Sequence, residues 1–186
     1  TIDYATSATD SFPTFTAADI FAGQETVQSA FIGDIDGDGD LDIVSGGYNN
    51  EDVFWLENDG AANPTFTEVD IKTDFGAIFS VYGDDIDNDG DQDVIVGGTK
   101  LALYKSSGAV DPSFTEVTID STAFFTRVQS IDVDNDGDLD VVASSYSNGG
   151  FVAWYENDGA SNPSFTKNVV ASSLGSVYAI HAGDID

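Results

Sequence analysis

Cysteine and methionine are absent from this chain of 186 residues, histidine occurs once, and lysine and arginine together number five. Without cysteine there is neither a disulfide framework nor a thiolate metal site, and nothing in the sequence marks the redox compartment. With His181 alone, no Ser-His-Asp set and no H-E-x-x-H zinc motif presents itself. Five basic residues against 34 acidic ones leave a formal charge of −29, which excludes the basic footprint that nucleic acid or an anionic membrane surface requires. No apolar run approaches the length of a membrane span, so no membrane insertion is expected, and no signal peptide is visible. The start at Thr1 and the lack of methionine suggest a processed or partial product.

What the chain does have is enough apolar residue, 41% with 12% aromatic, to build one globular core. Its acidic residues punctuate the apolar runs instead of replacing them, which argues against a disordered acidic tail.

The acidic residues are concentrated in a repeat. "DIDGDGDLD" begins at Asp34, "DIDNDGDQD" at Asp85 and "DVDNDGDLD" at Asp132, and a fourth copy breaks off after "DID" from Asp184. A second motif keeps the same interval: "WLENDGAANPTFT" from Trp55, "LYKSSGAVDPSFT" from Leu103 and "WYENDGASNPSFT" from Trp154. "YATSATDSFPTFT" from Tyr4 fits it as well, with Pro13 and Phe15 in register. Such a beat divides the chain into a partial repeat (1–23), three whole ones (24–71, 72–119 and 120–170) and a second partial one (171–186).

Each whole repeat reads as strands. In the first, "VQSAFIG" enters the aspartate loop, "LDIVSGG" leaves it, "DVFWLEN" follows a polar turn, and "TFTEVDI" returns after "NDGAANP". These short runs are rich in Val, Ile, Phe, Trp and Thr and are bounded by Gly, Asn, Asp and Pro. Four strands in about 50 residues match one blade of a β-propeller. The predicted fold is therefore all-β: a propeller of four-stranded antiparallel blades, about three whole and two partial in this chain. Burial of a blade on both faces accounts for near-continuous apolar runs such as "DIVSGG" and "FVAWY". A β-sandwich is the competing architecture, but it predicts no strict 50-residue interval. Three blades and a fraction do not close a ring. The chain is accordingly expected to be a piece of a longer propeller or an open array that pairs with further blades or with itself.

Crowding five carboxylates into nine residues calls for a compensating cation, since like charges 4 Å apart repel by roughly 1 kcal/mol even in water. Counting Asp34 as position 1, oxygen donors stand at positions 1, 3, 5, 7 and 9, and Gly39 at position 6 allows a sharp turn. Carboxylate oxygens without His or Cys favour a hard cation of high coordination number, Ca²⁺ over Zn²⁺ or Mg²⁺. An EF-hand is excluded, because its position-12 glutamate is replaced by Ser45, Val96 and Ala143 and the flanks are strands. The closing carboxylate falls to position 9: Asp42, Asp93 and Asp140. Position 7 is expected to offer its backbone carbonyl, leaving the side chains of Asp40, Asp91 and Asp138 to face solvent or a neighbour.

The loop D-x-D-x-D-G-D-x-D between two strands, repeated about every 50 residues and followed by an aromatic strand and a Phe-Thr strand, resembles the FG-GAP/VCBS repeats of integrin-α-like β-propellers. The resemblance implies one calcium per loop and three sites in all. These would be formed by Asp34, Asp36, Asp38, Asp40 and Asp42; by Asp85, Asp87, Asp89, Asp91 and Asp93; and by Asp132, Asp134, Asp136, Asp138 and Asp140. The chain departs from the family pattern in lacking clear Phe-Gly and Gly-Ala-Pro signatures and in having Gln92 where the other loops have Leu41 and Leu139. Asp184 and Asp186 supply two donors only, so no proper fourth site is expected.

Outside the loops, Trp55 and Trp154 lie within apolar strands and are read as blade core, with a sugar-stacking platform as the alternative. His181 is read as structural or merely exposed, and Glu51, Asp52, Glu57 and Asp59 as surface solvation. Lys72, Lys100, Lys105, Arg127 and Lys167 form no cluster along the sequence. The expected metal role is structural, and the expected function is non-catalytic adhesion or recognition of a protein or glycan, outside the cell or at its surface where calcium is plentiful. The alternatives are a lectin-like or polysaccharide-enzyme-associated propeller and a structural repeat module of a surface assembly or fibre.

Overall fold

A computed structural model of the protein describes residues 26–49 and 51–183. The incomplete first repeat (1–23), with Tyr4, Pro13 and Phe15, and the interrupted fourth loop, with Asp184 and Asp186, lie outside the described residues.

Among the described residues, twelve strands form three four-stranded sheets, each an antiparallel meander in sequence order. The first holds β1 (Val27–Gly33), β2 (Asp42–Gly47), β3 (Val53–Asn58) and β4 (Phe66–Lys72). The second holds β5 (Ile78–Asp84), β6 (Asp93–Gly98), β7 (Leu101–Lys105) and β8 (Thr115–Asp120). The third holds β9 (Phe125–Ile131), β10 (Asp140–Ser145), β11 (Phe151–Asn157) and β12 (Phe165–Ser172). Apart from one 3₁₀ turn at Ser147–Gly149, the described residues contain no helix. It follows that none is long and apolar enough to cross a membrane.

Burial follows strand order. All six residues of β6 and of β10 are buried, whereas β4, β8 and β12 are partly or fully exposed throughout except at Asp120, which ends β8 buried. A strand enclosed on both faces cannot use period-2 polarity, which is why the second strand of each repeat reads as an unbroken apolar run. Matching bulges interrupt the β3–β4, β7–β8 and β11–β12 ladders near the start of the third strand, so the repeat extends to backbone irregularities.

The sheets stack through their faces. Trp55, Val44 and Val53 of the first sheet meet Ile78, Val94, Val96 and Tyr104 of the second. Ile95, Leu101 and Leu103 of the second meet Phe125, Val141, Ala153 and Tyr155 of the third. Within β6, Val94 and Val96 thus serve one interface and Ile95 the other, and each fully buried side chain contributes about 1.5–3 kcal/mol. Close approach is set at Gly97, where a Cβ would come within 2.7 Å of Val128 Cγ1. The first strands stand side by side: Val81 N–H donates to Ser29 Oγ (3.1 Å), and Val128 N–H donates to Ser80 Oγ (3.2 Å). Beyond β12, residues 177–183 run beside β9 outside any sheet. Thr126 Oγ1 donates to the Val177 carbonyl there (2.6 Å), and Ala182 N–H donates to Gln129 Oε1 (3.0 Å). Three meander sheets stacked in series, with their first strands adjacent, have the arrangement of successive propeller blades and not of a two-sheet sandwich.

Candidate metal centres

The three aspartate loops join the first and second strands of the three sheets and lie at the same end of the stack. Position 9 anchors each one. Asp42 Oδ2 accepts from Ile35 N–H (3.0 Å) and Oδ1 from Asn58 N–H (2.8 Å). Asp93 accepts from Ile86 N–H (3.2 Å) and Ser106 N–H (2.8 Å), and Asp140 from Val133 N–H and Asn157 N–H (2.9 Å each). One buried carboxylate thereby ties the start of the loop to the end of the sheet's third strand.

Position 1 closes the loop on itself. Asp34, Asp85 and Asp132 each accept from the position-6 glycine N–H, at 3.1, 2.9 and 3.1 Å. Position 5 accepts from the position-7 N–H in every copy, at 2.9 to 3.0 Å. These bonds require two left-handed residues per loop: Gly39, Gly90 and Gly137 at position 6 (φ 95 to 100°), and Gly37, Asn88 and Asn135 at position 4 (φ 56 to 75°). Glycine and asparagine are the residues that tolerate this region, and their recurrence at position 4 is a sequence signal that reasoning from position 6 alone passes over.

The folding of each loop gathers carboxylates. Oxygens of Asp34, Asp36 and Asp42 lie within 4.8 Å of one another, as do those of Asp85, Asp87 and Asp93 and those of Asp132, Asp134 and Asp136. In the first two groups the position-3 and position-9 side chains are buried; in the third, Asp134 and Asp136 are exposed. Loss of solvent raises the carboxyls of Asp36, Asp42 and Asp140 above the ordinary aspartate value, and neighbouring aspartate charges push the same way. Asp93, wholly enclosed, is pushed up to about 7, chiefly by burial and then by Asp87 and Asp89.

A hard cation fits these groups. The donor set is entirely carboxylate oxygen. Asp34 Oδ1 and both oxygens of Asp87 are buried without a hydrogen bond, although Asp87 is in ionic contact with a lysine. Unsatisfied buried carboxylate oxygens are costly, and a cation relieves both that cost and the mutual repulsion of the cluster. The three groups could therefore hold metal ions.

The FG-GAP-like repeat profile matches residues 34–96, 85–143 and 132–186, the first two matches running from one aspartate loop through the next and the third into the interrupted fourth copy. The chain belongs to the FG-GAP-like repeat family. No match is found among curated proteins.

In this FG-GAP-like chain the position-7 aspartates stand apart from the gathered groups. A Cβ at Gly60, Gly108 or Gly159 would come within 1.9 to 2.1 Å of Oδ2 of Asp40, Asp91 or Asp138, so each of these side chains lies against the glycine of the turn after the third strand. Asp138 also accepts from Asn88 Nδ2 of the preceding loop (3.0 Å). Position 7 thus faces a neighbour, as its side chain was expected to be free to do. Asp38, Asp89 and Asp136 at position 5 hold the loop turn, and among them only Asp136 belongs to a gathered group.

Of the other residues singled out by sequence, Trp55 is buried at 1% exposure whereas Trp154, its counterpart, is partly exposed. His181 is exposed at the edge of a cleft lined by Phe31, Tyr82, Arg127 and Ile180. Asp59 does more than solvate the surface: it accepts from Ala61 N–H, Thr65 N–H and Thr65 Oγ1 and so holds the turn, as Asp158 does with Ala160 and Ser164.

Proposed function

We propose that this FG-GAP-like repeat protein is a calcium-binding, non-catalytic recognition module of a secreted or cell-surface protein, in which metal-stiffened blades present a rim to a protein or glycan ligand. The observation that carries the reading is a row of aromatic rings at the end of the sheets opposite the aspartate loops. Tyr48 follows β2, Phe79 lies near the start of β5, Phe124 precedes β9 and Tyr146 follows β10. Their ring centroids are spaced 5.6 Å from Tyr48 to Phe79, 6.1 Å from Phe79 to Tyr146 and 5.7 Å from Tyr146 to Phe124. Tyr48, Phe124 and Tyr146 are exposed, and such a contiguous aromatic strip across three sheets is a contact surface more than a packing need.

Calcium is the cation best suited to flexible all-carboxylate loops, and its place outside the cell follows from its availability there. Its role here is mechanical. It neutralises the loops that join the first two strands of each blade and so steadies the sheet ends from which the opposite rim projects.

The glycan form of this reading is favoured by a notch of about 290 Å³ beside Phe124, lined by Thr99, Ser121, Thr122, Ser147 and Asn148 and by no charged side chain. Hydroxyls and an amide beside an aromatic ring suit a neutral sugar, which is a distinctive surface in so acidic a chain. A glycan and extracellular-protein binding screen with calcium and after chelation, on the protein and on Phe124→Ala and Tyr146→Ala, tests the proposal. Binding that needs calcium and falls at least tenfold in both variants supports it. Ligand binding indifferent to calcium and to both substitutions refutes it.

A further inference from the structure

The three loops are alike in their aspartates but not in what stands beside position 3. The residue that ends the third strand's inward run is Glu57 in the first sheet, Lys105 in the second and Glu156 in the third. Their strand partners confirm the equivalence, since Glu57 faces Thr67, Lys105 faces Thr115 and Glu156 faces Thr166. Lys105 Nζ lies 2.5 Å from Asp87 Oδ2, and the Asp87 side chain is 1% exposed. The same ammonium donates to the Ser161 carbonyl in the turn of the third sheet. Neither Asp87 oxygen accepts a hydrogen bond, so this ion pair is the compensation that the buried carboxylate has in the described structure. In the third loop the equivalent residue is Glu156, a carboxylate where the second loop has an ammonium.

We propose that Lys105 is a built-in counter-ion that makes the second loop the weak calcium site and leaves the first and third as the tight ones. The inference rests on the calcium reading above and adds a ranking to it. Replacing a glutamate by a lysine changes the local charge by two units beside a position-3 ligand. Loop affinity for calcium is tuned by ligand charge, so a difference of ~10-fold or more is expected. Asp84, just before the second loop, returns one negative charge, but both of its oxygens are engaged, Oδ2 by Ser130 Oγ of the third sheet (2.5 Å) and Oδ1 by Asp85 N–H (3.1 Å). The ammonium also explains how the second loop tolerates Asp87 as a buried carboxylate. It supplies one positive charge permanently, and it fastens the loop to the next sheet whether or not a metal is bound.

Calcium titration calorimetry paired with native mass spectrometry tests this on the protein, on Lys105→Glu and on Glu156→Lys. The expected result is two tight sites and one at least ~10-fold weaker in the protein, three comparable sites in Lys105→Glu, and a single tight site in Glu156→Lys. Because Glu156, on β11, stands beside the less buried loop, the second variant remains readable if Lys105→Glu folds poorly. Three equal sites in the protein, or a weak site unmoved by Lys105→Glu and a third site unmoved by Glu156→Lys, would overturn the ranking while leaving calcium binding intact. Absence of calcium from every loop would instead overturn the calcium reading on which the ranking depends.

Discussion

Trp55 and Trp154 occupy the same place in their sheets, yet one is sealed at 1% exposure and the other is partly open. The same contrast runs through their surroundings. Val53 and Leu101 are fully buried, while Val152, their counterpart, is not. Asp36 and Asp87 are buried, while Asp134 is exposed. In the first two cases the face is covered by the following sheet; over the third, the described residues place only the segment 177–183 beside β9. Equivalent positions therefore acquire different energetics from their neighbours, and burial is a property of the stack more than of the repeat.

The largest test of that contrast is at the tryptophans. Trp55→Ala should cost about 3–5 kcal/mol in urea unfolding, because it opens a cavity in a closed interface, whereas Trp154→Ala should cost about 1 kcal/mol or less. Equal losses would mean that the third sheet's face is as enclosed as the first's.

A covered interface also contains the ionic tether at Asp120, on the last strand of the second sheet. It accepts from Tyr155 Oη (2.7 Å) and Lys167 Nζ (2.8 Å), both of the third sheet. Burial works against its charge, but the bonds from Lys167, Thr122 and Tyr155 together prevail and hold its carboxyl down at about 2. A folded value below the unfolded one gives stability that is present above pH ~4 and lost as the pH falls towards 2. Its size is about 2 kcal/mol, and Asp120→Asn should remove that acid dependence. An unchanged acid limb in the unfolding midpoint would rule the tether out.

The smallest effect concerns position 4. Asn88 and Asn135 are both left-handed, but only Asn88 has a described partner in the next loop, Asp138. Both should lose about 1 kcal/mol on substitution by valine, which resists positive φ. Asn88→Ala should cost about 0.5–1 kcal/mol more than Asn135→Ala through the lost hydrogen bond. Equal costs would remove the contribution of the neighbouring loop.

These differences mark where sequence reading stops. Strand boundaries, the meander and the three aspartate loops were legible, because alternation, turn residues and a 50-residue interval are local signals, but of the five aspartates expected together in each loop the structure gathers three. Asp42, Asp93 and Asp140 were expected to close the loops; Asp42 and Asp93 stand in gathered groups and Asp140 does not, and the two backbone hydrogen bonds of each were not foreseen, since one donor lies at the far end of the third strand. The contact of Asp40, Asp91 and Asp138 with the turn glycines was hidden for the same reason: it joins two motifs that are far apart until the sheet forms. Lys105 read only as one of five bases that form no cluster, although its replacement of Glu57 and Glu156 in an aligned repeat was the available clue. Trp154 read as core because its strand is apolar, and nothing local states what will cover it.

Hydrogen exchange measured in calcium and again after chelation tests the central claim most directly. If the loops are calcium-stiffened, amides in 34–42, 85–93 and 132–140 should lose protection on chelation, with the third, least covered loop losing the most, while the buried strands β6 and β10 stay protected. Unchanged exchange in all three loops would contradict the account, since the crowded carboxylates would then be held without the cation that explains them.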